Sequence, residues 1–202
     1  MSDVQIAAPA GHLQVRPIWQ DSDMLVVICH PHPLFGGTMD NKVVTTLARF
    51  WRRQGYSVLM FNFRGVGNST GRHDDGIGEI DDLRTVLTWA QSQCAATRLI
   101  LAGFSFGAYI AAAGVDRFTT WQVAQLQLQQ LVLVAPAVEN YPMAALQLPA
   151  KTRVIIGDQD EVVSPAAMQA WAQTYPLDLV VVPDAGHFFH GRLNDLSAHL
   201  AW

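Results

Sequence analysis

Short apolar runs without polar alternation recur along the chain, at Met24–Cys29, Tyr56–Phe61, Arg98–Ala102, Leu131–Val134, Thr152–Ile156 and Leu179–Val182. Runs rich in Val, Ile and Leu and bounded by turn residues suit strands buried on both faces, as in a parallel sheet covered by helices. The opening stretch, Val4–Ala7 and His12–Trp19 around Pro9, Ala10 and Gly11, predicts an antiparallel hairpin leading into that sheet. Between the runs the period lengthens to that of helices. Val43, Val44, Leu47, Phe50 and Trp51 make one apolar face, with Gly55 placed to end the helix. Ile80, Leu83, Leu87 and Ala90 make another, with Glu79, Asp81 and Asp82 loading its first turn. Ser164 and Pro165 read as an N-cap and N1 opening a helix through Met168, Trp171 and Ala172, and Leu193, Leu196 and Leu200 predict a short closing helix. Strands alternating with helices in this way predict one doubly wound α/β sheet. No repeat or linker divides the chain, so residues 1–202 read as one domain. The Gln-rich stretch Gln122–Gln130 reads as an irregular helix or loop entering a strand.

Composition narrows the class. Half the residues are hydrophobic and only 15% are charged, so much of the chain is interior. The net charge is −4 and the longest basic cluster is Arg52-Arg53, which argues against nucleic acid or an anionic membrane as partner. The N-terminus lacks the plan of a signal peptide and no apolar run reaches the ~20 residues of a membrane span, so a cytoplasmic location is expected. Cys29 and Cys94 lie in apolar-flanked segments without ligand spacing and read as buried free thiols.

The candidate chemistry sits at the ends of predicted strands. Gly103-Phe104-Ser105-Phe106-Gly107 falls between the strand Arg98–Ala102 and a helix beginning at Ala108. That setting is what separates a strained nucleophile elbow from a serine that merely caps a helix. A hydroxyl needs a base oriented by a third group, and elbow folds supply the partners in the order Ser, acid, His. After the strand Thr152–Ile156 come Asp158, Asp160 and Glu161. Asp160, two residues further into the loop, is favoured as the acid over Asp158 on the strand end; Glu161 ranks third. His187, after the last predicted strand and next to Gly186, is the base. His12, His73, His190 and His199 have no such placement. Of the oxyanion donors, one is the N–H of Phe106 and the second belongs to the loop His30-Pro31-His32-Pro33-Leu34-Phe35-Gly36-Gly37. Pro31 and Pro33 have no N–H, so Leu34 is expected to supply it, with Phe35 as the fallback. His30 and His32 as a metal pair lack a further ligand at suitable spacing. No metal and no cofactor is implied.

The segments Cys29–Val44, Phe61–Gly71 and Gly103–Gly107 resemble a compact bacterial subgroup of the α/β-hydrolases whose members are mostly described as predicted hydrolases or esterases. The resemblance spans nearly the whole chain and implies an eight-stranded, mostly parallel sheet with a Ser-Asp-His triad on Ser105, Asp160 and His187. In related hydrolases the Arg64-Gly65 loop shapes the catalytic edge, although Arg64 reads equally as a structural ion-pair partner. Only about fifteen residues, Pro136–Ala150, separate the strands Leu131–Val134 and Thr152–Ile156, too few for a lid domain. Val138, Tyr141, Met143, Leu146 and Leu148 in this stretch are candidates to wall an acyl pocket, to pack on the core, or to face a second subunit in a homodimer. The expected activity is hydrolysis of a small carboxylic ester or thioester through an acyl-enzyme. A peptidase, a lactone hydrolase and a catalytically silent binding protein are the alternatives; dienelactone hydrolases carry a cysteine where Ser105 stands. The sequence names no substrate-binding residue.

Overall fold

The computed structural model describes residues 2–201 except 122 and 124. The strands are β1 (Val4–Ala8), β2 (Gly11–Ile18), β3 (Met24–Cys29), β4 (Ser57–Phe61), β5 (Arg98–Phe104), β6 (Gln127–Val134), β7 (Thr152–Gly157) and β8 (Asp178–Val182). They form one sheet in the order β1-β2-β4-β3-β5-β6-β7-β8. The β1–β2 and β2–β4 pairings are antiparallel and all others parallel. The crossovers are the helices α1 (Lys42–Arg53), α2 (Ile77–Ala90), α3 (Phe106–Arg117) and α4 (Pro165–Gln173), with α5 (Leu193–Ala198) closing the chain. α1 packs with α5, and α2 with α3, so the sheet is covered on both faces. Every residue of β3 and β4 is buried, which is why those segments carry no polar alternation. No helix among the described residues is long and apolar enough to cross a membrane.

Two expectations are corrected. The Gln-rich stretch is strand from Gln127 onward, not irregular helix or loop; Gln122, at its start, lies outside the described residues. Gln127–Gln130 pairs with β5, but β7 joins β6 only from Leu131, so this end of β6 is an edge, with Gln127 exposed, Gln129 half-buried and Gln130 buried. The acids of α2 do not all load its first turn, since the helix starts at Ile77 and only Glu79 falls there, with Asp81 and Asp82 in the next turn. Glu79 is fully buried at N3, accepting the N–H groups of Asp74 and Gly76 at 2.9 Å each, a side-chain brace over the helix start. Asp82, also fully buried, takes Arg64 Nη2 at 2.8 Å and the Arg64 N–H at 2.9 Å. Arg64 is therefore an ion-pair partner that ties the loop after β4 to α2. Both cysteines are free, Cys29 buried and Cys94 only partly so.

Between β6 and β7 the described chain holds a single short 3-10 turn, Met143–Ala145. Met143 is fully buried, and Val138, Leu146 and Leu148 pack on the core. The Tyr175 hydroxyl donates into a cup of three carbonyls, those of Met143, Ala144 and Leu146, at 3.0 to 3.2 Å. Of the five apolar residues in this stretch, Tyr141 is the one that faces the cleft over Ser105.

Candidate active site

The site is assembled at the carboxyl ends of the parallel strands. Ser105 follows β5 directly and has φ +57° and ψ −118°, a conformation that costs roughly 1–3 kcal/mol for a residue with a side chain. The surroundings enforce it: the Ser105 N–H donates to the Val134 carbonyl at 2.9 Å, and α3 starts at the next residue. The flanking glycines are required by approach distance. A Cβ on Gly103 would lie 2.0 Å from the Gly107 carbonyl oxygen, and one on Gly107 would lie 2.3 Å from that of Cys29. Ser105 occupies the N-cap position of α3 yet makes no side-chain cap bond. Its hydroxyl points instead to His187 Nε2, at 3.0 Å.

His187 lies in the loop after β8. Its Nδ1 is 2.8 Å from Asp160 Oδ2, so the imidazole proton on Nδ1 is held by the carboxylate while Nε2 faces the serine. The second oxygen of Asp160 accepts the N–H groups of Val162 and Val163, each at 2.8 Å. That carboxylate is thus fixed by three hydrogen bonds in the turn before α4. The three residues are nearly sealed from solvent, with exposures of 8% for Ser105, 2% for His187 and 8% for Asp160. Asp158 is not in this line; its Oδ1 is buried without a partner. Glu161 contributes something the sequence did not reveal. Its Oε2 accepts the His187 N–H at 3.0 Å and fixes the backbone that carries the imidazole.

Phe106 is the first residue of α3, so its N–H has no partner within the helix. In the loop after β3 the N–H groups are spent locally. Leu34 N–H donates to His32 Nδ1 at 3.2 Å, Phe35 N–H to the His32 carbonyl, Gly36 N–H to Pro33 and Gly37 N–H to His32 again. Neither Leu34 nor the fallback Phe35 presents a free donor, and their side chains stand 70% and 86% exposed. Among the described residues, no acceptor is found for the His32 N–H. The His32 ring packs 5.1 Å from that of Phe106 and 4.7 Å from that of His73. His73, which has no strand-end placement, is half-buried, its side chain only 6% exposed with Nδ1 2.9 Å from Glu79 Oε1.

His30 is fully buried beneath this loop. Its Nδ1 donates to the Pro31 carbonyl at 2.6 Å and its Nε2 accepts the Phe63 N–H at 3.0 Å, an arrangement open only to the neutral ring. Burial pushes its pKa down to about 3. With both nitrogens engaged, His30 has no lone pair to offer a metal. Among the described residues, no group of three His, Cys, Asp or Glu side chains is placed to hold one.

A mostly parallel sheet of this order, with a strained serine between the central strand and its helix, defines an α/β hydrolase. Residues 20–150 match the family described as serine aminopeptidase, S33, and the chain belongs to that family. An uncharacterized protein of Rickettsia prowazekii is 31% identical over 98% of this chain and 86% of its own length. The solved structure of an α/β serine hydrolase without lid from Xanthomonas campestris shares 38% identity over 98% of this chain and 90% of that one, with a TM-score of 0.90. An α-β serine hydrolase homologue from Coxiella burnetii shares 42% identity over 99% and 97%, with a TM-score of 0.88.

Proposed function

We propose that the protein is a serine hydrolase that cleaves small carboxylic esters or thioesters through an acyl-enzyme on Ser105. The observation that carries the reading is the unbroken line from Ser105 Oγ to His187 Nε2 at 3.0 Å and from His187 Nδ1 to Asp160 Oδ2 at 2.8 Å. In this reading Oγ attacks the carbonyl carbon while its proton passes to Nε2. Asp160 holds the imidazole in the tautomer that can accept that proton and stabilises the imidazolium that results. The oxyanion takes the N–H of Phe106 and, in place of Leu34, the unengaged N–H of His32. Collapse of the tetrahedral intermediate breaks the bond to the leaving oxygen or sulfur, which departs with the proton from His187. Water then enters by the same route in reverse, releasing the acid and restoring Ser105.

A peptidase is the second reading, favoured by the family's description. An aminopeptidase must hold the substrate's α-ammonium, and a carboxylate in the site is the usual means. No Asp or Glu lines either chamber of the cleft over Ser105. The walls are apolar and aromatic, suited to neutral groups. The test compares p-nitrophenyl acetate with a set of aminoacyl p-nitroanilides. Ester turnover far above anilide turnover is expected; faster cleavage of an anilide moves the assignment to peptidase.

A further inference from the structure

The cleft is divided at Ser105. One chamber, about 400 Å³, has Phe35, Asn41, His187 and Phe188 in its wall. The other, about 300 Å³, lies over the start of α3 and has Phe106, Asn140, Tyr141 and Val163 in its wall. His32, Phe35, Ser105 and Val162 border both.

The two chambers are not chemically equivalent, given the acyl-transfer reading proposed above, on which this inference rests. The tetrahedral carbon bears Ser105 Oγ, the oxyanion, the leaving oxygen and the acyl substituent. The leaving oxygen must lie within reach of His187 Nε2, which returns the proton to it. The His187 ring borders only the first chamber. The oxyanion is drawn to the Phe106 N–H, and the remaining substituent must run into the chamber that His187 does not border. We infer that the 400 Å³ chamber takes the alcohol and the 300 Å³ chamber the acyl group. The substrate class that follows is an ester of a bulky apolar or aromatic alcohol with a compact acyl group.

Three observations set the sizes apart. The alcohol chamber is the larger, and the exposed ring of Phe188 stands in its wall and not in that of the acyl chamber. Of the seven large hydrophobic side chains exposed on the described surface, Leu34, Phe35, Val162 and Phe188 belong to the loops around this cleft, and of these Phe188 borders the alcohol chamber alone. The acyl chamber has a packed aromatic wall on one side. Tyr141 stacks on Tyr109 with ring centroids 4.6 Å apart and planes at 16°, and its ring lies 5.2 Å from that of Phe106. That wall bounds the smaller chamber on the Tyr141 side.

The experiment measures kcat/KM on two ester series with the intact chain. One keeps acetate and varies the alcohol from ethyl through butyl to benzyl and naphthylmethyl; the other keeps the ethyl alcohol and lengthens the acyl group from acetyl to decanoyl. Along the first series kcat/KM should rise by about fourfold per newly buried methylene, and at least about tenfold from ethyl to benzyl. Along the second it should stop rising by about hexanoyl and then fall. Tyr141→Ala should extend the acyl series, and Phe188→Ala should flatten the alcohol series. The wild-type series decide the matter even if a variant fails to fold. A rise that continues with acyl length while the alcohol series stays flat overturns the assignment, as does each variant acting on the other's series. Fluorophosphonate labelling of Ser105, run in parallel, separates the two levels. Labelled enzyme with the wrong size pattern overturns this inference alone, whereas no label and no turnover of any ester overturns the reading beneath it.

Discussion

Ser105, His187 and Asp160 lie 82 and 27 residues apart in pairs, yet each is set by a local rule: a residue following a parallel strand is delivered to the same sheet edge. Asp160 differs from Asp158 by what its carboxylate touches. Three hydrogen bonds fix Asp160, two of them from backbone N–H groups, while Asp158 leaves an oxygen unpaired. Asp160→Asn should therefore lower kcat by roughly 10⁴-fold by presenting the wrong imidazole tautomer, and Asp158→Asn should cost far less. Steady-state kinetics of the two purified variants on one ester check the ranking, and the reverse order would assign the acid to Asp158. These positions were legible because strand ends can be counted along a sequence. The oxyanion loop was not. Four consecutive N–H groups, from Leu34 to Gly37, look alike in one dimension, and only the tight turn reveals that each is already engaged. Glu161 was hidden for the same reason, since its partner is a backbone amide 26 residues away.

At the scale of elements, apolar runs marked six of the eight strands, and two segments around Pro9, Ala10 and Gly11 marked the hairpin. The half of β6 that the pattern missed is the half with a neighbour on one side only, where polar Gln side chains are accommodated at the sheet edge. Burial also makes one connection sensitive to acid. His30 joins the end of β3 to Phe63 beyond β4 as a neutral ring, its pKa pushed down by burial from 6.5 to about 3. The unfolded chain binds a proton on this group below about pH 6.5, and the native state does not until about pH 3. Stability is therefore complete above the upper value and falls as pH falls through the window, approaching ~1.4 kcal/mol per pH unit from this group alone. Urea midpoints at pH 7, 6 and 5 measure the slope. His30→Gln should start ~1–3 kcal/mol lower at pH 7, through the lost bonds, and show a shallower dependence. An unchanged slope would mean that other groups govern the acid response.

At the scale of the whole molecule, no lid element stands over the site among the described residues. Residues 135–151 are held down on the core by Met143 and by the carbonyl cup around Tyr175, leaving no hinged apolar element above Ser105. An enzyme of this shape has nothing to open at a lipid surface. Rates on p-nitrophenyl butyrate should rise smoothly with concentration through the solubility limit, and a sharp increase at the appearance of droplets would reveal a cover. The account as a whole stands on Ser105 as the nucleophile, and one measurement reaches that claim most directly. The protein is reacted with a fluorophosphonate, digested, and the adduct mapped by mass spectrometry, with Ser105→Ala treated in parallel. The account predicts a single adduct on Ser105, none in the variant, and a fall in ester turnover of ~10⁴-fold or more while the variant keeps its thermal unfolding transition. An adduct on any other serine, or ester turnover that survives in the folded variant, would contradict it.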